Sequence, residues 1–434
     1  MDKIVSLAKR RGFIFQSSEI YGGFAATWDY GPLGVELKNN VKKAWWNSTI
    51  RSRMDVVGMD TAILMHPDVW IASGHVEGFN DPMIDCLTCK GRFREDMLEK
   101  PGQCPTCGGK NLTEPRQFNL MFKTETGSLE GSTQVVYIRP ETAQGIFVQF
   151  KNVVTSARLK LPFGIAQIGK SFRNEVTTKS FIFRSREFEQ MELEYFVKPG
   201  EDEECYKYWI TEREKWYKDY GVKSENLHLR AHDPGELSHY SKGTTDVEYD
   251  FPFGRKELEG IASRTDFDLK AHMAKSGKDL SYFDETTKEK FIPYCVESSA
   301  GVDRAVLTFL CDAYDEDKAP SESGGEEERV VLRFHPAIAP VKIGIFPLMK
   351  KDPQVNLAKD IFTQLSKHYT CAYDQAGSIG RRYRRQDEVG TPFCITVDFD
   401  SLDDEAVTIR NRDTLEQVRI KVSELKNWFN GKFD

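Results

Sequence analysis

Arginines and carboxylates are spaced along Phe163–Phe196 so that they meet on one surface. The run Phe188-Glu189-Gln190-Met191-Glu192-Leu193-Glu194-Tyr195-Phe196 alternates strictly. In a strand this puts Gln190, Glu192 and Glu194 on one face and Met191, Leu193 and Tyr195 on the other. The run before it, Phe163–Phe172, leads into Arg173-Asn174-Glu175, and Arg184 and Arg186 follow across a polar loop. An ordinary antiparallel hairpin accounts for the alternation. It does not account for arginines and carboxylates converging on one sheet face, where every charge needs a partner or a charged ligand. No Gly-rich P-loop and no dinucleotide fingerprint occurs in the chain, so a nucleotide site would have to be made of sheet and arginines.

A second chemistry is written in cysteines. Cys86-Leu87-Thr88-Cys89 and Cys104-Pro105-Thr106-Cys107-Gly108-Gly109 hold two knuckles with about fourteen residues between them, near the four-cysteine ribbon spacing for tetrahedral zinc. Each knuckle bends the backbone so that two sulfurs meet one ion, and glycine after the second pair suits the tight turn. Four thiolates leave no open position for water, so this metal is structural rather than catalytic. Disulfides fit poorly, because nine cysteines and an N-terminus without a signal-peptide pattern point to a reducing compartment, most simply the cytoplasm.

Several elements must position these residues. Gly31-Pro32-Leu33-Gly34 opens a helix with the apolar stripe Leu33, Leu37, Val41, Ala44 and Trp45, and a strand Met59–Met65 closes at Pro67. A second helix begins at Arg139-Pro140-Glu141-Thr142, its stripe running from Ala143 through Ile146, Phe147 and Phe150 to Val153. Glu201–Tyr220 reads as an aromatic-faced helix. Leu227–Gly254 reads as a loop-rich insert whose His228, His232 and His239 lack metal-ligand spacing. Glu257–Asp266 is a strand, and Tyr294–Arg304 passes from strand through small residues into a helix with the stripe Val302, Ala305, Val306, Phe309 and Leu310. The acidic stretch Asp315–Glu328 reads as a mobile surface excursion, after which Val330–Phe334 returns to the first sheet. Pro336–Pro340 is the linker to an α/β unit of alternating strands and helices. The organisation is thus residues 1–335, with inserts at 80–118 and about 200–255, then residues 336–434. Within the second part, Arg381-Arg382-Tyr383-Arg384-Arg385 either neutralises phosphates and stacks on bases or forms a solvated helix face.

Composition narrows the class. A chain of 434 residues with formal charge −7 is no simple basic nucleic-acid binder, so RNA contacts would have to come from local patches. No apolar run approaches the ~20 residues of a membrane span.

Phe172-Arg173-Asn174-Glu175, followed by Arg184 and a strand led by phenylalanine, resembles the second signature motif of class II aminoacyl-tRNA synthetases. The Gly31 helix with its Pro67-closed strand is similar to the first motif, and Tyr294–Arg304 to the third. Arg139-Pro140-Glu141-Thr142-Ala143-Gln144 and Arg186–Glu192 look specifically like the glycyl enzymes, and the resemblance covers nearly the whole chain. It implies an α+β fold: an antiparallel-sheet class II catalytic domain with a zinc-ribbon-like insert, then a C-terminal α/β anticodon-binding domain. It also implies a homodimer through the Gly31 helix, and activation of glycine by ATP followed by transfer to tRNA(Gly). By the same resemblance Arg173 and Arg304 are catalytic on the phosphates, with Arg184 on the outer ones. Phe188 faces adenine, with the cation of Arg304 stacked opposite, and Glu175 accepts the adenine amino group. Asn174, Phe183, Leu258 and Ser299 complete the ATP site, and Glu257 with Glu297 holds Mg²⁺. Glycine falls to Arg94, Glu141, Phe188, Glu192, Arg264, Glu297 and Ser299. The competing readings are a class II synthetase for another amino acid and an inactive synthetase-like RNA-binding protein. Glycine has no smaller competitor, so no editing domain is expected.

Overall fold

The computed structural model describes residues 1–98, 100–127, 133–176, 180–238, 241–320 and 324–433. Part of the polar loop (177–179), His239 and Ser321–Ser323 lie outside them.

The alternating runs form one large sheet. Its strands are β1 (Val56–Gly58), β2 (Phe163–Phe172), β3 (Glu187–Val197), β4 (Leu227–Ala231), β5 (Gly243–Phe251), β6 (Gly254–Thr265) and β7 (Tyr294–Gly301). They lie in the order β4-β5-β6-β7-β3-β2-β1, antiparallel except where β1 runs parallel to β2. Met191, Leu193 and Tyr195 pack into one core with α1 (Pro32–Trp46), which supplies Leu37, Val41 and Trp45. Val302, Val306 and Leu310 come to the same core from the helix that follows β7. The opposite face is covered by α2 (Ala143–Ala157), whose Ile146, Phe147 and Phe150 pack on Phe163, Ile165 and Phe196. Along β3 that face changes from Gln190, Glu192 and Glu194 to Phe196, so polar groups are enclosed beside an apolar floor. Proline at the start of α1 costs no hydrogen bond, as the sequence led one to expect.

The structure corrects several expectations. Met59–Met65 is not one strand, because the backbone leaves the sheet after β1. The Thr61 N–H donates to Gln167 Oε1 (3.2 Å) and the Thr61 carbonyl accepts from Arg139 Nη1 (2.7 Å), so side chains replace the ladder there. Residues 227–254 are not loop-rich, since β4 and β5 extend the sheet. The missed signal was period two in Thr245, Val247, Tyr249 and Phe251, all buried. The acidic stretch is a β-ribbon, Tyr314–Pro320 paired with Glu326–Leu332, and it does not rejoin the first sheet. Its charge is matched by arginines: Arg329 is buried against Asp317 and Asp387, and Arg384 Nε reaches Glu327 at 3.0 Å. The linker is equally packed, with Ile338 and Ala339 buried in the first core.

The C-terminal unit has its own core around Ile343, Ile345, Ile361, Ile395 and Phe429. Strands β8 (Ile343–Pro347), β9 (Cys371–Tyr373), β10 (Phe393–Val397), β11 (Ala406–Asn411) and β12 (Gln417–Lys421) lie in the order β9-β8-β10-β11-β12. Pairing is parallel from β9 to β10 and antiparallel beyond. Among the described residues, no helix is long and apolar enough to cross a membrane.

Candidate active site

The segment after β2, strands β3, β6 and β7 and the N-terminus of α3 (Val302–Ala313) line a cavity of about 250 Å³. Arg173, Glu175, Phe183, Arg184, Phe188, Glu257, Ser299 and Arg304 all line it, together with Gln190 from the polar face of its strand and Asp303, which the sequence had given no role. Arg173 is clamped by its backbone N–H to the Arg186 carbonyl (2.9 Å) and by Nε to the Pro140 carbonyl (3.0 Å). Its guanidinium lies 5.4 Å from the Phe188 ring and 5.2 Å from the Phe79 ring. Arg304 lies over Phe183 at 4.5 Å, and its Nη1 meets Glu257 Oε1 at 3.1 Å. The charge of Arg304 holds the Glu257 carboxyl below its ordinary range. Arg184 stands 3.8 Å from Glu175. Three cations thus converge on a walled space between aromatic rings, the arrangement a polyphosphate with a planar base requires.

Beside the cavity, on the same sheet face, lies a carboxylate pocket. Glu192 faces Ser299 across the β3–β7 ladder and Glu194 faces Glu297. Carboxyl oxygens of Glu192, Glu194 and Glu297 lie within 4.8 Å of one another, all buried. Glu192 Oε2 accepts from the Thr142 N–H (3.1 Å) and the Thr142 hydroxyl. Arg264 donates to both oxygens of Asp268 at 2.8 Å and to Glu297 at 3.0 Å, with its guanidinium over the Phe147 ring. At the start of α2, Glu141 accepts from Gln144 (3.0 Å) and meets His75 Nε2 at 3.2 Å. Burial pushes Glu141 up, but His75, Arg264 and Gln144 outweigh it and hold the carboxyl below its ordinary value. Burial and the charge of Glu141 raise Glu192. Burial lifts Glu297 to about 8, with Arg264 opposing and Glu192, Glu141 and Asp268 adding.

Arg94, Asn174 and Leu258 do not themselves line the cavity. Arg94 is held by Asp81 (3.0 Å) and Asp96 (2.6 Å) in the ribbon and makes no bond to the pocket. The Leu258 side chain is buried in the first core, and the Asn174 N–H is spent on the Leu120 carbonyl. Glu257 and Glu297 are not a pair that can hold one ion. Ala262 faces Glu297 and Glu259 faces Ala300, so Glu257 falls level with the start of α3, about five residues and ~16 Å along the sheet. His75 and Asp268 carried weak signals, Asp268 only in standing four residues beyond Arg264.

The four cysteines of the ribbon converge. Sγ separations are 3.7 Å for Cys86–Cys107 and 3.5 Å for Cys89–Cys104, against about 3.8 Å for sulfurs on one tetrahedral zinc. The knuckles match: the Cys86 N–H donates to the Gly91 carbonyl and the Cys104 N–H to the Gly109 carbonyl. Lys90 and Gly108 occupy the same left-handed position, with φ of 60° and 71°. Cys86 and Cys104 are buried while Cys89 and Cys107 face outward.

The tRNA synthetase class II core domain (G, H, P, S and T) matches residues 122–312, and the anticodon binding domain matches residues 337–432. The glycine–tRNA ligase of Acetivibrio thermocellus is 57% identical over 461 aligned positions, covering 100% of this chain and 98% of that protein. Those of Ruminiclostridium cellulolyticum and Treponema denticola are each 56% identical, covering 100% and 98% of this chain and 98% and 95% of theirs. The chain belongs to the glycine–tRNA ligase family of class II aminoacyl-tRNA synthetases. The family's anticodon-binding match holds the basic cluster, whose arginines turn largely inward. On α4 (Ile379–Val389, the second helix of the C-terminal unit after Asp352–Leu365), Arg382 is buried on the Gly377 and Pro347 carbonyls. Arg384 and Arg385 pair with Glu327 and Asp374, leaving Arg381 exposed.

Proposed function

We propose that the protein activates glycine with ATP and transfers it to the 3′ end of tRNA(Gly). The observation that carries this is the junction of an arginine-lined cavity with a buried carboxylate pocket on one sheet face. An oxygen of the glycine carboxylate attacks the α-phosphorus, the bond to the β-phosphate oxygen breaks, and pyrophosphate leaves. The terminal ribose hydroxyl then attacks the glycyl carbonyl and AMP departs. Phosphoryl transfer of this kind needs positioning and positive charge rather than a protein nucleophile. Arg173 takes the α-phosphate, Arg184 and Arg304 the outer phosphates, Phe188 the adenine face and Glu175 its amino group. Glu141, Glu192 and Glu297 receive the ammonium, with Ser299 at the α-carbon and Arg264 fixing Glu297. Mg²⁺ enters with ATP, and Glu257 is the cavity carboxylate suited to hold it. Glycine-dependent pyrophosphate exchange across the twenty amino acids is the test. Exchange driven best by alanine or serine, or by no amino acid, would overturn the reading.

The same proposal assigns residues 1–335 to catalysis and 336–434 to the anticodon, in the cytoplasm. It gives the cysteine ribbon one structural zinc, supported by the sulfur spacing; elemental analysis finding no bound metal in folded protein refutes it. The protein acts as a homodimer. The apolar stripe of α1 is already buried in its own protomer, so the partner surface falls to the opposite face of α1 and the preceding loop, where Ile20, Tyr21 and Phe24 are exposed. A monomer by light scattering would count against it.

A further inference from the structure

Five carboxyls crowd the glycine pocket, and their donors are unevenly shared. Glu141 has Gln144 and His75, Glu192 has the N–H and hydroxyl of Thr142, and Asp268 has two nitrogens of Arg264. Glu297 has the third Arg264 nitrogen at 3.0 Å. Among the described residues Glu194 has only the Cys295 thiol, a weak donor, 2.9 Å from Oε2. Its Oε1 is buried with no hydrogen-bond partner among the described residues. Glu194 is 0% exposed and lies two ladder pairs beyond Glu192 and Ser299, directly opposite Glu297.

Arg264 and His75 are the basic groups touching these carboxyls among the described residues, and with a bound ammonium they still fall short of five negative charges. A buried uncompensated carboxylate takes up a proton instead. The donor count says which one does so first. A proton on Glu194 also needs an acceptor, and a carboxyl oxygen of Glu297 lies within 4.8 Å.

We propose that Glu194 is a positioning residue of this pocket, permanently protonated, which donates its proton to the Glu297 carboxylate and so orients Glu297 toward the substrate ammonium. This rests on the glycine reading above. The groups facing Glu194 agree with it. Burial and the charge of Glu297 push the Glu194 carboxyl well above its ordinary range, with Arg264 opposing and Glu192 adding, and Cys295 is itself raised by burial and by Glu194. His272, farther out on Phe267–Ser276, is lowered by burial and bonds Gln144. The same three carboxyls are near enough to hold a divalent ion, but Arg264 already occupies Glu297 at 3.0 Å.

The experiment compares wild type with Glu194→Gln and Glu194→Leu in glycine-dependent exchange from pH 6 to 9. It is paired with infrared detection, at pH 9 and so above the titration of Glu297, of a protonated carboxyl in the ligand-free protein. Glu194→Gln keeps a donor, so its glycine KM should stay within about threefold of wild type with the same pH midpoint. Glu194→Leu removes the donor. Its glycine KM at pH 7 should rise about tenfold and its midpoint should move up by about one unit, with ATP KM little changed. The infrared band should vanish in Glu194→Gln. If Glu194→Gln lowers the midpoint or matches the loss in Glu194→Leu, Glu194 is ionised and the proposal fails. A folded Glu194→Leu protein with wild-type glycine KM also overturns it. So does Mn²⁺ binding that Glu194→Gln abolishes and glycine displaces. If Glu194→Leu does not fold, the infrared band decides, its persistence in Glu194→Gln being fatal. Wild-type protein that does not activate glycine instead removes the underlying reading, while the band still reports on Glu194.

Discussion

The phosphate cavity and the carboxylate pocket share strands, yet they handle charge in opposite ways. In the cavity, Arg173 and Arg304 are only partly buried and lean on aromatic rings and carbonyls while remaining available to a ligand. In the pocket, Arg264 is wholly committed, with three bonds to two carboxylates. Water and an incoming polyphosphate can satisfy the first set. Nothing but neighbouring side chains, protons and one ammonium can satisfy the second. The same residue types, a few positions apart along β3 and β7, are therefore a binding surface in one place and a structural constraint in the other.

Removing the committed cation should have the largest effect. Arg264→Leu leaves Asp268 and Glu297 buried without their partner, a loss of about 3–5 kcal/mol. It should appear as a lower urea midpoint for the catalytic part, with partial recovery at mildly acid pH as the stranded carboxyls protonate. A midpoint equal to wild type would mean that the pocket tolerates unpaired charge, and the contrast would collapse.

Removing the available cation should act on rate instead. Arg173→Ala is expected to slow pyrophosphate exchange about a hundredfold, about 3 kcal/mol in the barrier, without moving the urea midpoint. Near-normal exchange by the folded variant would take Arg173 out of the mechanism.

A smaller effect, about tenfold per pH unit, belongs to the pocket alone. Glu297 is raised to about 8 in the free protein, so near pH 7 it is mostly protonated. An ammonium favours the carboxylate, so glycine binding must expel that proton. Glycine affinity should therefore climb from pH 6 to about 8 and then level, while ATP affinity lacks that limb. Glycine KM that is flat or rises over this range would contradict it.

Much of this was legible beforehand. The alternation in Phe188–Phe196 fixes which side chains share a face, and the cysteine spacing fixes the ribbon. The arginines that line the cavity were all named from the motif around Phe172–Glu175 and from Arg304. The pocket was harder to read because its properties are collective. Glu192, Glu194 and Glu297 differ by which donor stands nearby, and those donors, Thr142, Arg264 and Cys295, lie on three separate segments of the chain. The Glu257–Glu297 pairing failed for a related reason: two glutamates on neighbouring strands look alike in sequence, and only the ladder register separates them. The paired strands Tyr314–Pro320 and Glu326–Leu332 were missed because the counter-charges of the acidic run, Arg329 and Arg384, lie outside it.

The comparison is sharpest between two pairs of one chemical kind. Arg304–Glu257 and Arg264–Asp268 are both arginine–carboxylate contacts, at 3.1 Å and 2.8 Å. Distance alone would rank them nearly equal. Exposure does not: the Glu257 side chain is 50% accessible and that of Asp268 is 2%. Water screens the first pair and replaces it when it breaks, so Glu257→Gln should change the urea midpoint by less than about 1 kcal/mol. It would also free Arg304, so ATP KM should change more than stability does. If Glu257→Gln destabilises as much as Arg264→Leu, the cavity is as closed as the pocket. Charge in this sheet would then be held by distance rather than by access to water.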